Sequence, residues 1–221
     1  MNTSKFSLLA NDFIHLRTKL VSTEITNDKN IHDILRIPHE DLKKETLLEI
    51  LSNYNKENDN TPQRMLFMTD ILEALWNIFD NCTLEDDIEG AQEMSLHVFR
   101  AFVQTVHPLI TNKREFGYAT EYLDSYIETR FNCKAVFNKF INAFTTLIHS
   151  KEDDELIKYT LMSMKISFKF IIKAFNIKLL QNSDGSEQDR AKFSRLIHEV
   201  GKFQTEKIRM TNIFSKGGQQ R

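Results

Sequence analysis

The sequence predicts an all-α fold: an irregular armadillo- or HEAT-like α-solenoid of antiparallel helix pairs, with one β-strand near the N-terminus. Three observations predict it. Apolar residues recur at steps of three and four through most of the 221 residues, the spacing of one helix face. Six glycines and three prolines are too few for the many tight turns of an all-β chain. The helical stretches follow one another as pairs with short connections and without strict heptads, which is the logic of stacked pairs whose inner helices are buried on two sides. No exact repeat recurs at a fixed period, so the array is irregular.

The first stretch differs from the rest. Over residues 12–20, Ile14, Leu16, Thr18 and Leu20 alternate with His15, Arg17 and Lys19, a period of two that reads as a strand. A lone strand cannot hide its edges or its apolar face, so it must pack on something or belong to a sheet whose other strands lie elsewhere. Helices follow. Asn27 or Asp28 caps a short one through Ile31, Ile34 and Leu35, stopped by Pro38. A second runs from about Glu40 to Tyr54 and buries Leu47, Leu48 and Leu51. Thr61 and Pro62 open a third as N-cap and first helical residue, with Met65, Met68, Leu72, Leu75 and Phe79 as its stripe.

Thr83 starts the next helix, which carries Val98, Phe99, Phe102 and Val106 as far as Pro108. Helices over about Glu115 to Arg130 and Lys134 to His149 come after it. The longest helix is expected beyond Glu152–Glu155, where two adjacent stripes hold Ile157, Leu161, Met164, Phe168, Ile171 and Phe175, and Tyr159, Met162, Ile166, Phe170, Ala174 and Ile177. So wide an apolar arc needs neighbours on two sides. A last helix starts near Glu187, and residues 215–221 read as a flexible tail.

Composition narrows the function classes. A formal net charge of -2 supplies no global field to attract nucleic acid. Cys82 and Cys133 form no CxxC pair and cannot build a disulfide framework, which points to a reducing compartment. No apolar run is long enough for a signal peptide or a membrane span, so no direct membrane insertion is expected.

Lookalike motifs fail at named positions. His198-Glu199 begins like a zinc helix, but Lys202 stands where the second His belongs. Aligning Gly185 to the turn glycine of a calcium loop puts Leu180 and Ala191 where carboxylates are required. The acidic runs at 85–89 and 152–155 each lie where a helix begins, and the helix dipole accounts for them. Phe137, Phe140 and Phe144 read as packing rather than as a cofactor box. No phosphate-binding loop, dinucleotide fingerprint, nucleophile elbow or kinase signature occurs, so neither a cofactor nor a catalytic residue is expected. One surface feature remains: Lys158, Lys165, Lys169 and Lys173 follow a single helical ridge. It reads either as a solvated face or as an interaction surface for acidic lipid or a partner carboxylate.

Several stretches together resemble one family. Leu20-Val21-Ser22-Thr23-Glu24-Ile25-Thr26-Asn27, followed by Ile31 and Ile34-Leu35, resembles the point where DOCK (dedicator of cytokinesis) proteins leave their C2-like region and enter helices. Asp70 to Phe79, Ser95 to Val103, Tyr122 to Ile127 with Phe131, Ala135 to Phe140, and Leu161 to Ile172 are similar to successive helices of the same proteins, in the same order and spacing. The resemblance covers roughly residues 12–205. Val21 and Glu24 depart from it, standing where the family usually has Cys and Lys.

The resemblance implies a parent that is a cytoplasmic guanine-nucleotide exchange factor, in the Rac-directed, ELMO-associated branch. Recruited to membrane, such a parent activates a Rac-like GTPase for cytoskeletal control. It would meet the GTPase and ELMO through regions this chain does not hold, and it could pair as a homodimer. The expected organisation is a strand remnant of a C2-like domain over 1–26, a helical-repeat region over 27–214 and the tail. The expected role is a non-catalytic scaffold linking membrane-targeting and catalytic regions, with protein partners. A free-standing α-solenoid adaptor is the alternative.

Overall fold

The computed structural model describes residues 26–56, 61–81, 88–149, 154–181 and 186–217, and among them there are helices and no strand. The strand expected over residues 12–20 lies outside the described residues, as do Thr83 and Gly185.

Helix α1 (Lys29–Leu35) begins where Asp28, in extended backbone, turns its carboxylate onto the Asn30 and Ile31 N–H groups at 2.8 and 3.1 Å. Pro38 sits in a short 3-10 turn, Ile37–His39, that ends this first unit. Helix α2 (Lys44–Lys56) buries Leu47, Ile50, Leu51 and Tyr54. The single helix expected from Thr61 is two, α3 (Thr61–Leu66) and α4 (Met68–Asn81), interrupted at Phe67. The Phe67 N–H still reaches the Gln63 carbonyl at 3.0 Å, so the apolar stripe runs on across the break.

Helix α5 (Ile88–Val106) stops before Pro108, which then opens α6 (Pro108–Thr111). A short α7 (Lys113–Phe116) and α8 (Tyr118–Thr129) replace the single helix expected from Glu115. Gly117 joins them in a place no larger residue fits, since a Cβ there would lie 2.5 Å from the Lys113 carbonyl oxygen. Helix α9 (Ala135–His149) follows. The long helix expected after the second acidic run is also two, α10 (Asp154–Met162) and α11 (Met164–Gln181), parted at Ser163. The longest helix is instead α12 (Ser186–Gly217), which extends into the expected tail.

The packing is that of an irregular all-α solenoid. Helices α5 and α9 are the inner ones: α5 meets α2, α4, α9 and α10, and α9 meets α4, α5, α10, α11 and α12. Ring contacts give the directions. Phe99 with Phe144 and Phe102 with Phe140 make α5 and α9 antiparallel. Phe137 with Phe175 and Phe144 with Phe168 do the same for α9 and α11. Helix α12 returns along α11, with Phe193 against Phe168 and Asp189 bound to Lys178 at 2.6 Å.

Trp76 of α4 is the centre of the core. Its ring lies 5.2 to 6.2 Å from those of Phe79, Phe102, Phe131, Phe140 and Phe170, contributed by α4, α5, the α8–α9 connection, α9 and α11. Tilted and edge-on aromatic pairs at that range add about 0.5–1.5 kcal/mol each beyond the area they bury. Phe137, Phe140 and Phe144 are fully buried, as the packing reading requires.

Candidate functional site

The lysine ridge divides once the helices are placed. Lys158 lies on α10, while Lys165, Lys169 and Lys173 lie on α11. Helix α8 runs parallel to α11 at a constant offset: Lys169 pairs with the Asp124 carboxylate, and Lys173 donates to the Glu128 carbonyl at 2.9 Å. Along α8, Glu121, Asp124 and Glu128 step by three and four, and along α11 Lys165, Lys169 and Lys173 step by four, with Lys169 and Asp124 the charged pair between the two helices. Two of the four lysines therefore join α11 to α8. Lys158 and Lys165 are exposed.

The Lys173 bond belongs to a wider pattern. A helix leaves its last four carbonyls without partners inside the helix, and its C-terminus favours positive charge. Lys173 meets such a carbonyl at the end of α8. Lys139 of α9 does the same at the end of α4, donating to the Phe79 carbonyl at 3.0 Å with its ammonium 5.0 Å from the Phe79 ring centroid. Arg64 of α3 does it at the end of α2. Its Nη2 donates to the Tyr54 carbonyl at 3.0 Å, its Nη1 to Gln104 Oε1 at 3.1 Å, and its guanidinium lies 4.4 Å from the Tyr54 ring centroid. Gln104 Nε2 then donates to the Asn55 carbonyl at 2.6 Å, and Asn55 Nδ2 to the His97 carbonyl at 3.2 Å. Three helix C-termini are thus closed by cationic side chains from other helices. In each case the charge joins one layer to the next.

The titratable groups of the interior serve packing. Burial, and after it the Asp80 carboxylate, push the Cys133 thiol up to about 12, and its Sγ donates to Asp80 Oδ1 at 3.2 Å. A thiol kept protonated in this way is no nucleophile near neutral pH. Burial also raises the Tyr54 phenol, which shares a hydrogen bond of 2.8 Å with Thr105. Burial and the Glu73 carboxylate raise that of Tyr126. Burial, and after it the Arg100 guanidinium, lowers His97.

His198 and Lys202 are exposed on α12, and among the described residues no three His, Cys, Asp or Glu side chains are grouped to hold a metal. No described helix is long and apolar enough to cross a membrane. Exposed apolar surface includes Tyr118 and Tyr122, one turn apart on α8, at 73% and 57% exposure.

The polar residues that organise the molecule include several that sequence reasoning missed. Arg64, Gln104, Asp124 and Lys139 carry no local signal, because each acts on a partner 10 to 60 positions away. Comparison with known proteins adds one finding. The family model for the dedicator of cytokinesis (DOCK) TPR region matches residues 46–218, nearly the whole array from α2 to α12. Neither a curated protein nor a solved structure matches the chain.

Proposed function

Because the chain belongs to the DOCK family through its TPR region, we propose that it is the scaffold segment of a guanine-nucleotide exchange factor for Rac-like GTPases. The observation that carries this reading is the family match over residues 46–218. Its physical counterpart is an array in which Arg64, Lys139 and Lys173 each hold one helix against another. A stiff stack of this kind keeps the modules at its two ends at a set separation. In this reading the segment links a C2-like membrane-targeting region to the catalytic region, within a cytoplasmic parent of the ELMO-associated branch. The GTPase and ELMO bind outside it. The exposed end of the lysine ridge, Lys158 and Lys165, is where we place contact with a protein partner.

The test is nucleotide release from Rac loaded with a fluorescent guanine nucleotide. The purified 221-residue chain leaves the release rate unchanged; clear acceleration by this chain alone refutes the scaffold reading. Reading the gene on both sides provides the second check. C2-like strands upstream and a catalytic region downstream support the proposal. A gene without either makes the chain a free-standing adaptor.

A further inference from the structure

The break between α10 and α11 is marked in the sequence by neither proline nor glycine. The apolar stripes of residues 154–181 pass through Ser163 without a change of period. Sharp interruptions of a helix come from Pro, from Gly and Ser pairs, from a π-bulge, or from a group or water inserted into the backbone ladder. At this break the Ser163 carbonyl accepts the Ile166 N–H, three residues on, at 3.0 Å, as well as the Ser167 N–H at 3.0 Å.

Two hydroxyls mark the spot. At three other buried positions in these helices the hydroxyl returns to the carbonyl four residues back. Ser95 donates to Ala91 at 2.7 Å, Thr105 to Ala101 at 2.7 Å, and Ser167 to Ser163 at 3.1 Å. Thr160 and Ser163 do not. Both are buried, at 1% and 0% exposure, and neither Thr160 Oγ1 nor Ser163 Oγ has a hydrogen-bond partner in the protein. Three residues apart, they share one face of the helix. A buried hydroxyl without a partner is costly, and the common remedy is an enclosed water making two to four hydrogen bonds. Just before the break the chain is held in place: the Tyr159 ring stacks on His107 of the α5–α6 connection, with centroids 4.5 Å apart.

We propose that the α10–α11 junction encloses one ordered water molecule bound by the Thr160 and Ser163 hydroxyls. Its test is water-to-amide cross-relaxation on the isotope-labelled 221-residue chain. The expected result is a long-lived water signal at the Ser163 and Met164 amides, lost in the Thr160→Val/Ser163→Ala double variant. That variant should also show an unfolding constant equal to the parent's or up to about tenfold higher. Absence of the signal in the parent overturns the proposal, and because this is read on the unaltered chain, a variant that fails to fold does not block it. So does a double variant whose unfolding constant falls tenfold or more, because that outcome shows the hydroxyls to have been without any partner.

Discussion

Replacing Arg64 by Met tests the idea that cations from neighbouring helices close the ends of others. Arg64 is buried, at 3% exposure, and Met fills much of its volume without its charge. Three contacts go. Leaving the buried Tyr54 carbonyl without its charged donor costs about 1–3 kcal/mol. Losing the stacked position over the Tyr54 ring costs about 2 kcal/mol at a desolvated site. Gln104 loses its Nη1 donor but is only half-buried, so water replaces part of that bond. Against these stands relief from burying a charge, on the order of a few kcal/mol before its hydrogen bonds are counted. The balance is a loss of about 2 kcal/mol, some thirtyfold in the folding equilibrium. Urea unfolding followed by circular dichroism measures it. With an m-value of about 2 kcal/mol/M the midpoint drops by about 1 M. The Gln104→Leu variant and the double variant complete a cycle, with an expected coupling of about 0.5–1.5 kcal/mol for residues in one network. An Arg64→Met protein as stable as the parent, or more so, refutes the reasoning. It would mean that desolvation of the guanidinium outweighs everything it holds.

Phe140→Ala removes a ring that touches Trp76, Phe79, Phe99 and Phe102, and should cost about 3–5 kcal/mol in the same assay. The Lys169–Asp124 pair is 36% and 42% exposed, so a double-mutant cycle with Lys169→Ala and Asp124→Ala should give a coupling below about 1 kcal/mol that shrinks in 1 M salt. Cys133 makes stability fall at alkaline pH. Its folded thiol keeps a proton up to about 12 while the unfolded one loses it near 9.0, so the contribution is whole below pH 9 and is lost as pH rises toward 12, at up to about 1.4 kcal/mol per pH unit. Relative to Cys133→Ala, the parent should therefore lose stability faster between pH 9 and 10.5. In a Cys82→Ser background, the Cys133 thiol should resist an aromatic disulfide reagent at pH 8 until urea is added.

The helical class was legible because it rests on spacing, and spacing is local. Asp28 could be nominated as a cap from its neighbours alone, and the buried phenylalanines from their period. The interruptions at Phe67 and Ser163 were not legible. At each, the apolar stripe continues unbroken, and neither residue is a Pro or Gly to mark the place. Pro108 was read as an end and is also a beginning, since a proline suits the first position of a helix as well as it ends the one before. The candidate lysines were visible as a ridge, but what a ridge faces depends on which helix lies beside it. Asp124 and Glu128 stand 45 positions away from Lys169 and Lys173, and no periodicity on α11 announces them. Arg64 shows the same limit more sharply: its role is set by the end of α2 and by Gln104 of α5, and both are matters of tertiary placement.

Trp76 is the chain's single tryptophan, and it stands where four helices and a connecting segment converge. Its fluorescence therefore reports on the middle of the array and stays silent about the two ends. Should the stack unravel from its outermost helices inward, ellipticity would decline while the emission spectrum held still. The interval between the two transitions would count how many helices leave before the centre gives way. Should both change together, the whole array melts as a single unit. One natural fluorophore thus distinguishes a stack that peels from one that breaks at once, with no label attached.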